Sequence, residues 1–535
     1  MSKKNLVLII EANQVFFRNI CEETDFTVQN EILFTGITDT YIPLLNLFGK
    51  LEKSQVKFKV GLVMPPVLCT LLNDPQIQKQ YIDWLDRCIA LGKSEVKRLA
   101  GSQFLENALD TLEKYEKTKL DFTEVYNQNL LCKFKYYKEK GFVELIATTA
   151  TRAYLPYFQD LHEALNAQVE TGLYAQRTFF GESGEGFFLP FCAWAEGFDS
   201  VLRSYGMNYT VVDARSLLFA EKRNGTGIFS PVRCGNSLVL FGKDPHTPDD
   251  ICGKNGYMHN EVYCNCAKDI GFELDSKELE SFLEKDKART STGYKYWANT
   301  EKDIDYENCD FKRYIRKDAE EQVKKDALDF IHKKADKLKS AEELLKGEDS
   351  SLVCVIPAEL MGQTWREGIL WLEEVLTQIS LPECSVTLEQ CKNLLEKQFE
   401  LPKIKPYPCS GDESGYGEDF IDGTNSYMIR YIRKATERMI DLTERLSSET
   451  SLKERLLNLA AKEVLLAQSG EWPLMLHENK LPDYVKKCFK KHVLSFTIVF
   501  DALASNSVST EWLTNLEKED LIFPWMNYRI FSRKK

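Results

Sequence analysis

Two acids in this 535-residue chain stand where side chains could do chemistry. Glu11 follows the apolar run Leu6 to Ile10, and Glu359 follows the run Leu352 to Ile356 across a Pro357-Ala358 step. Carboxylates gathered at neighbouring strand ends can serve as general acid and base, or one can attack an electrophilic carbon while the other manages the proton. Glu359 lies two residues past Pro357, so an extended backbone would face both to the same side. Glu182, Glu185 and Glu196 flank a further strand-like stretch that carries Phe191. Other reactive patterns are weaker. The six histidines are scattered and form no helical pair suited to a metal, and His332 and His492 fall in helical segments as packing or surface residues. Cys252, Cys264 and Cys266 lack zinc-finger spacing. The run Gly181 to Gly186 carries two acids and no lysine, which a phosphate-binding loop would need. Neither a metal nor a cofactor is expected.

The elements that must position these acids alternate through the first three-quarters of the chain. Leu6 to Ile10, Lys57 to Val63, Phe142 to Thr148, Tyr209 to Val212, Ser237 to Phe241 and Leu352 to Ile356 are short, β-branched and apolar, the signature of strands buried on both faces. Helical patterns between them predict βα units around a parallel sheet or barrel, whose chemistry sits at the C-terminal strand ends. Glu11, Thr148 to Arg152, Asp213 and Pro357 to Glu359 all fall there. Residues 75–135 read as a helical insertion. Residues 320–346 read as one long helix with Val323, Leu328, Ile331, Ala335 and Leu338 on its buried stripe and a solvated charged face. Pro402, Pro406 and Pro408 break the helical pattern, and an all-helical unit occupies 401–535 after a barrel unit at 1–400.

Composition excludes several classes. A formal charge of −12 disfavours nucleic acid, because phosphate affinity needs clustered Lys and Arg. Fifteen scattered cysteines without a Cys-x-x-Cys pair read as reduced thiols of a cytoplasmic protein. The apolar run after Lys3 and Lys4 is too short for a signal peptide, and no segment has the length of a membrane span.

The stretch Gly186-Phe187-Phe188-Leu189-Pro190-Phe191-Cys192-Ala193-Trp194 resembles the Trp-Leu-Pro-Glu-Cys motif of glycoside hydrolase family 57. The segment Pro357-Ala358-Glu359-Leu360-Met361-Gly362-Gln363-Thr364-Trp365 resembles that family's Asp-Thr-Glu-Leu-Phe-Gly-His-Trp-Trp. Glu144 to Pro156, Phe241 to Pro245, Lys268 to Phe272 and Leu466 to Pro473 are similar to further stretches of its α-1,4-glucan branching enzymes, in the same order. The resemblance implies an incomplete (β/α)7 barrel with a helical insertion and an all-helical C-terminal domain. It also implies an α-glucan such as glycogen, or an enzyme of glycogen metabolism, as partner.

The departures fall on the chemistry. By this resemblance the nucleophile position is Phe191 and the acid/base position is Pro357, and neither side chain can ionise. The family's His-x-His is Glu11-Ala12-Asn13, another His is Arg152, and an Asp-x-His is Asp213-Ala214-Arg215. Sugar-stacking tryptophans fall at Cys252, Gly411 and Phe420, and an Arg at Cys264. Retaining glycosidases need two carboxylates roughly 5–5.5 Å apart. The expectation is a catalytically degenerate α-glucan-binding or regulatory protein, with Trp194, Tyr257, Phe420, Glu471 and Trp472 as glucan-binding candidates and Trp297 a further possible platform. Two alternatives stand beside it. One is an active glucanotransferase or hydrolase using Glu359 and Glu11 as relocated acids, and the other is a protein-interaction scaffold without sugar binding.

Overall fold

A computed structural model of the chain describes residues 2–18, 27–222, 225–280, 282–283, 289–300, 311–448, 451–505 and 509–533. Its centre is set by strands that are apolar on both faces. In β1 (Lys4–Glu11) Val7 and Ile9 point one way while Leu6, Leu8 and Ile10 point the other, and all five are buried. Each such side chain contributes about 1.5–3 kcal/mol on leaving water. Six more parallel strands follow: β2 (Val60–Val63), β3 (Val143–Ile146), β4 (Gly186–Phe188), β5 (Tyr209–Val212), β6 (Val239–Gly242) and β7 (Ser350–Pro357).

These strands form one ring. β3, β2, β1 and β7 make one parallel sheet and β4, β5 and β6 another. Single parallel pairs, Ala147 with Phe187 and Lys243 with Val353, join the two sheets on either side. The interior is filled by Val7, Ile9, Val63, Ile146, Phe188, Val211, Phe241, Val353 and Val355, so the ring is a packed core without a pore. This is the incomplete (β/α)7 barrel expected from the sequence. Short pairings of Val232–Arg233 with β6 and of Thr387–Leu388 with β1 lie off the ring.

Four α-helices, Pro66–Leu72, Pro75–Arg98, Leu105–Leu120 and Leu130–Glu139, lie between β2 and β3. The long helix is Arg316–Leu344, but its buried stripe differs from the expected one. Leu328 is exposed, because the stripe runs from Val323 through Ala327 to Phe330 and Ile331, which turns Leu328 outward. Lys334 is fully buried on that stripe, 2.6 Å from Asp244 and 2.7 Å from Asp250.

Five helices close the C-terminal region: Ser426–Arg445, Ser451–Ala467, Glu471–His477, Pro482–Ser505 and Thr510–Glu519. From Ala460 to Ala467 every residue of the second helix is buried, as a helix surrounded by its neighbours requires. Its end abuts the barrel mouth. Thr151 donates to the Leu465 carbonyl at 2.7 Å, and Ala153 pairs with Ser469. Among the described residues no helix is long and apolar enough to cross a membrane.

Candidate functional site

Because the strands are parallel, their C-terminal ends bring Glu11, the turn after β3, the turn after β4, Asp213, Lys243 and the turn after β7 to one face. Arg152 is the hub of that face. Its Nε and Nη2 donate to Glu11 Oε1 at 3.0 and 2.7 Å, and its Nη1 donates to Glu471. All three side chains are nearly closed off from water. Desolvation alone would lower the pKa of the guanidinium, but the Glu11 and Glu471 carboxylates outweigh it and raise that pKa above its ordinary value. The planar group is therefore fixed as a cation and forked between two acids.

Phe191 completes this arrangement. Its ring centroid lies 4.2 Å from the Arg152 guanidinium carbon and 4.5 Å from the Phe420 ring. Phe420 stacks in turn on Tyr154 at 4.2 Å and 12°. Gly470 passes beneath: a β-carbon there would stand 2.7 Å from both the Phe191 ring and the Arg152 carbonyl. The sequence placed Phe191 on a strand, but β4 ends at Phe188 and Phe191 belongs to a tight turn, Pro190–Cys192. Arg152, Phe191 and Cys192 all have left-handed backbones, with φ of 51°, 60° and 49°. Each costs of order 1–2 kcal/mol in a residue with a β-carbon. The surrounding fold thus holds a strained turn at the position where the resemblance puts a nucleophile.

On the other side of the mouth Asp213 accepts from Arg215 Nε at 2.7 Å and lies 3.3 Å from Lys243 Nζ. Burial would raise the Asp213 carboxyl, but Arg215 and Lys243 outweigh it and keep its pKa below the ordinary value. Arg215 also donates to the carbonyls of Ser410, Asp412 and Glu413, which ties the loop 410–420 across the opening. Gly411 donates from its amide to the Phe191 carbonyl at 2.7 Å.

The remaining candidates divide. Pro357 ends β7 opposite Glu11, its partner in register. Glu359 is not on an extended strand. It sits in the turn Ala358–Leu360, where burial raises its carboxyl above the usual range, with Lys480 opposing and Glu471 reinforcing. Glu11, Glu359, Glu471, Phe191 and Phe420 are thus brought into one neighbourhood. Trp472 is not available as a sugar platform: its ring is fully buried and its Nε1 donates to the Leu466 carbonyl at 2.7 Å. Tyr257 donates to Asp329 at 2.8 Å beneath Lys333, in a different core cluster. Trp297 packs edge-on against Phe104 at 4.8 Å. Trp194 is mostly buried and lines a groove beside the mouth.

The sequence reading did not pair Arg152 with Glu11 and Glu471. The signal was present, since Glu11 and Arg152, both at positions where the resemblance puts histidine, carry opposite charges. His492, expected as a packing or surface residue, is buried with Glu463 and Asp520, and the three offer ligand-capable atoms within 4.8 Å of one another, a grouping that the spacing of the three in the sequence does not announce. Lys491 Nζ lies 3.1 Å from Asp520 and supplies positive charge to that group.

Comparison with known proteins agrees with the fold that positions these residues. Residues 7–343 match glycosyl hydrolase family 57, and residues 431–531 match the C-terminal domain of 1,4-alpha-glucan branching enzymes. The 1,4-alpha-glucan branching enzyme TK1436 of Thermococcus kodakarensis is 24% identical over 502 residues, covering 87% of this chain and 69% of that protein. A probable 1,4-alpha-glucan branching enzyme of Mycobacterium tuberculosis is 21% identical over 513 residues, 90% of each. The crystal structure of the alpha-amylase AmyC from Thermotoga maritima superposes with a TM-score of 0.91 at 26% identity, covering all of both chains. That of TK1436, in complex with glucose, gives 0.87 at 22%, covering 99% and 97%, and shows the shared fold.

Proposed function

The chain belongs to glycosyl hydrolase family 57, and on that premise we propose that it is a catalytically degenerate α-glucan-binding or regulatory protein of glycogen or starch metabolism. The observation that carries this reading is the contact of Arg152 with Phe191. A phenyl ring at the nucleophile position cannot form a glycosyl ester, and proline at the acid/base position can neither give nor take a proton. General acid/base catalysis alone is worth about 10²–10⁴-fold, or about 3–5 kcal/mol of barrier. The space is also taken. One face of Phe191 is covered by the guanidinium and Phe420 packs against the ring, so little apolar surface remains for a sugar to stack on. A protein of this kind keeps the scaffold, holds glucan elsewhere on it or meets an active glycogen enzyme, and works in the cytoplasm.

Two measurements on purified protein test this. Iodine-stain and branching assays should show no turnover, and affinity electrophoresis through glycogen should show retardation. Turnover would overturn the degenerate reading. Unretarded migration would overturn glucan binding and leave a protein-interaction scaffold.

One observation favours a second reading, in which relocated acids act as a transferase. Burial raises the Glu359 carboxyl above its ordinary value, the direction in which general acids are tuned. Glu11, its proposed partner, is already committed to two Arg152 hydrogen bonds. Turnover that Glu359→Gln abolishes would decide for this reading.

A further inference from the structure

We infer that a groove beside the barrel mouth, walled by Phe219 and Tyr407 and floored by Trp194, is a binding site for a neutral oligosaccharide such as an α-glucan chain end. The inference rests on the glucan-binding reading above and gives that binding a place outside the filled mouth. The groove encloses about 740 Å³, within the range of roughly 300–1,000 Å³ typical of small-ligand sites.

Its aromatic wall is unusually open. Phe219 is 61% and Tyr407 37% exposed, with ring centroids 6.0 Å apart and nearly perpendicular planes. Tyr416, 71% exposed, lies nine positions further along the chain, outside the groove's lining. Exposed rings grouped at the edge of a cavity mark an interaction site, whereas single ones scattered over a surface do not. A pyranose offers apolar C–H faces to such rings and hydroxyls around its rim.

The polar complement fits a ligand without charge. Glu196, Asp199 and Glu221 line the groove, and so do Lys222, Lys403 and Lys405, so three negative charges meet three positive ones. Lys405 stands 3.4 Å from Glu196 and 3.2 Å from Glu221. A phosphate or an acidic peptide would gain nothing from this balanced set, while hydroxyls find both donors and acceptors.

The walls are also preformed. The strip 402–409 is laced into place by backbone bonds: Arg233 donates to Pro402, Ile404 to Arg233, Tyr407 to Ser216, and Trp194 and Cys409 to each other. Pro406 and Pro408 bracket Tyr407 and fix their own φ, which reduces the ordering cost of presenting the ring.

The test is affinity electrophoresis through glycogen with calorimetric titration of maltoheptaose. The proteins are the full-length chain, Phe219→Ala, Tyr407→Ala, the double variant, and Tyr431→Ala, an exposed ring on the helix Ser426–Arg445, as control. The double variant should bind about tenfold or more weakly, the effect of losing a central aromatic contact, with its thermal midpoint unchanged. The control should bind like the unmodified chain. Phe219→Ala alone keeps the test open should Tyr407→Ala disturb the proline strip. If the unmodified chain is retarded and the double variant equally so, this groove is wrong and the glucan reading stands. If the unmodified chain is not retarded, the reading falls and this inference falls with it.

Discussion

Gly470 and Phe191 are fitted to each other: the glycine Cα passes so close to the phenyl ring that a β-carbon would stand 2.7 Å from it. Two elements about 280 positions apart in the chain, a turn after β4 and the N-terminus of a C-terminal helix, therefore share one contact. Gly470→Ala should destabilise the fold by about 1–3 kcal/mol, the usual cost of overpacking. Phe191→Ala should relieve the part of that cost due to the ring, while the equally close contact with the Arg152 carbonyl persists. Denaturant titration of both single variants and the double variant gives the coupling, and strict additivity would contradict the fit.

Arg152 neutralises two acids that have little access to water. Arg152→Met should leave Glu11 and Glu471 facing each other without a cation, at a cost of about 3–5 kcal/mol. Arg152→Lys should recover part of this but not all, since an ammonium cannot fork between two carboxylates as a guanidinium does. Chemical unfolding at pH 7 measures both. Equal stability of Arg152→Met and the parent chain would show the ion triad to be unimportant.

Phe191→Glu supplies a carboxylate at the position where the resemblance puts the nucleophile, without supplying an acid/base partner. It should give no turnover of amylose above background, because Pro357 still offers no proton and the new acid meets Arg152 directly. The paired variant Phe191→Glu with Pro357→Asp is the least change that supplies both groups. Iodine-stain assays on the two variants check this, and activity in the single variant would show that another acid already serves.

His492 is buried against Glu463, and burial pushes its imidazole down to about 4. In the unfolded chain the ring takes its proton near pH 6.5, so between the two values the unfolded state binds more protons. The stability this ring allows is fully present above about pH 6.5 and drains as the pH falls toward 4. The loss is about 3 kcal/mol, at ~1.4 kcal/mol per pKa unit. Unfolding free energies of the parent and of His492→Gln at pH 7, 5.5 and 4.5 isolate it: the parent should lose stability faster. Parallel profiles would contradict the assignment.

The fold was largely legible because parallel strands buried on both faces write themselves as short β-branched runs. Tyr209 to Val212 was located to the residue. Local errors came where periodicity competes with a neighbour's shape. Leu328 reads as part of a helical stripe until Ala327 and Phe330 take the buried side. Phe191 reads as strand because leucine, proline and phenylalanine are all apolar, while its positive φ is imposed by tertiary contacts that no local preference announces. At the site, the gathering of Glu11, Arg152 and Glu359 at the strand ends was readable and their partnerships were not. Arg152 meets Glu471 across 319 positions, and nothing in either local segment specifies the other. Buried aromatics were the hardest case, since Trp472 in the core and Tyr407 at the surface are both simply rings in a sequence.

The ring of strands is stitched by one residue pair on each side, between stretches paired over several residues. Such a shell has two seams, and across them closure leans on the interlocked interior side chains more than on a ladder of backbone bonds. Arg152 and Phe191 sit in turns just past the strands that one of these seams joins.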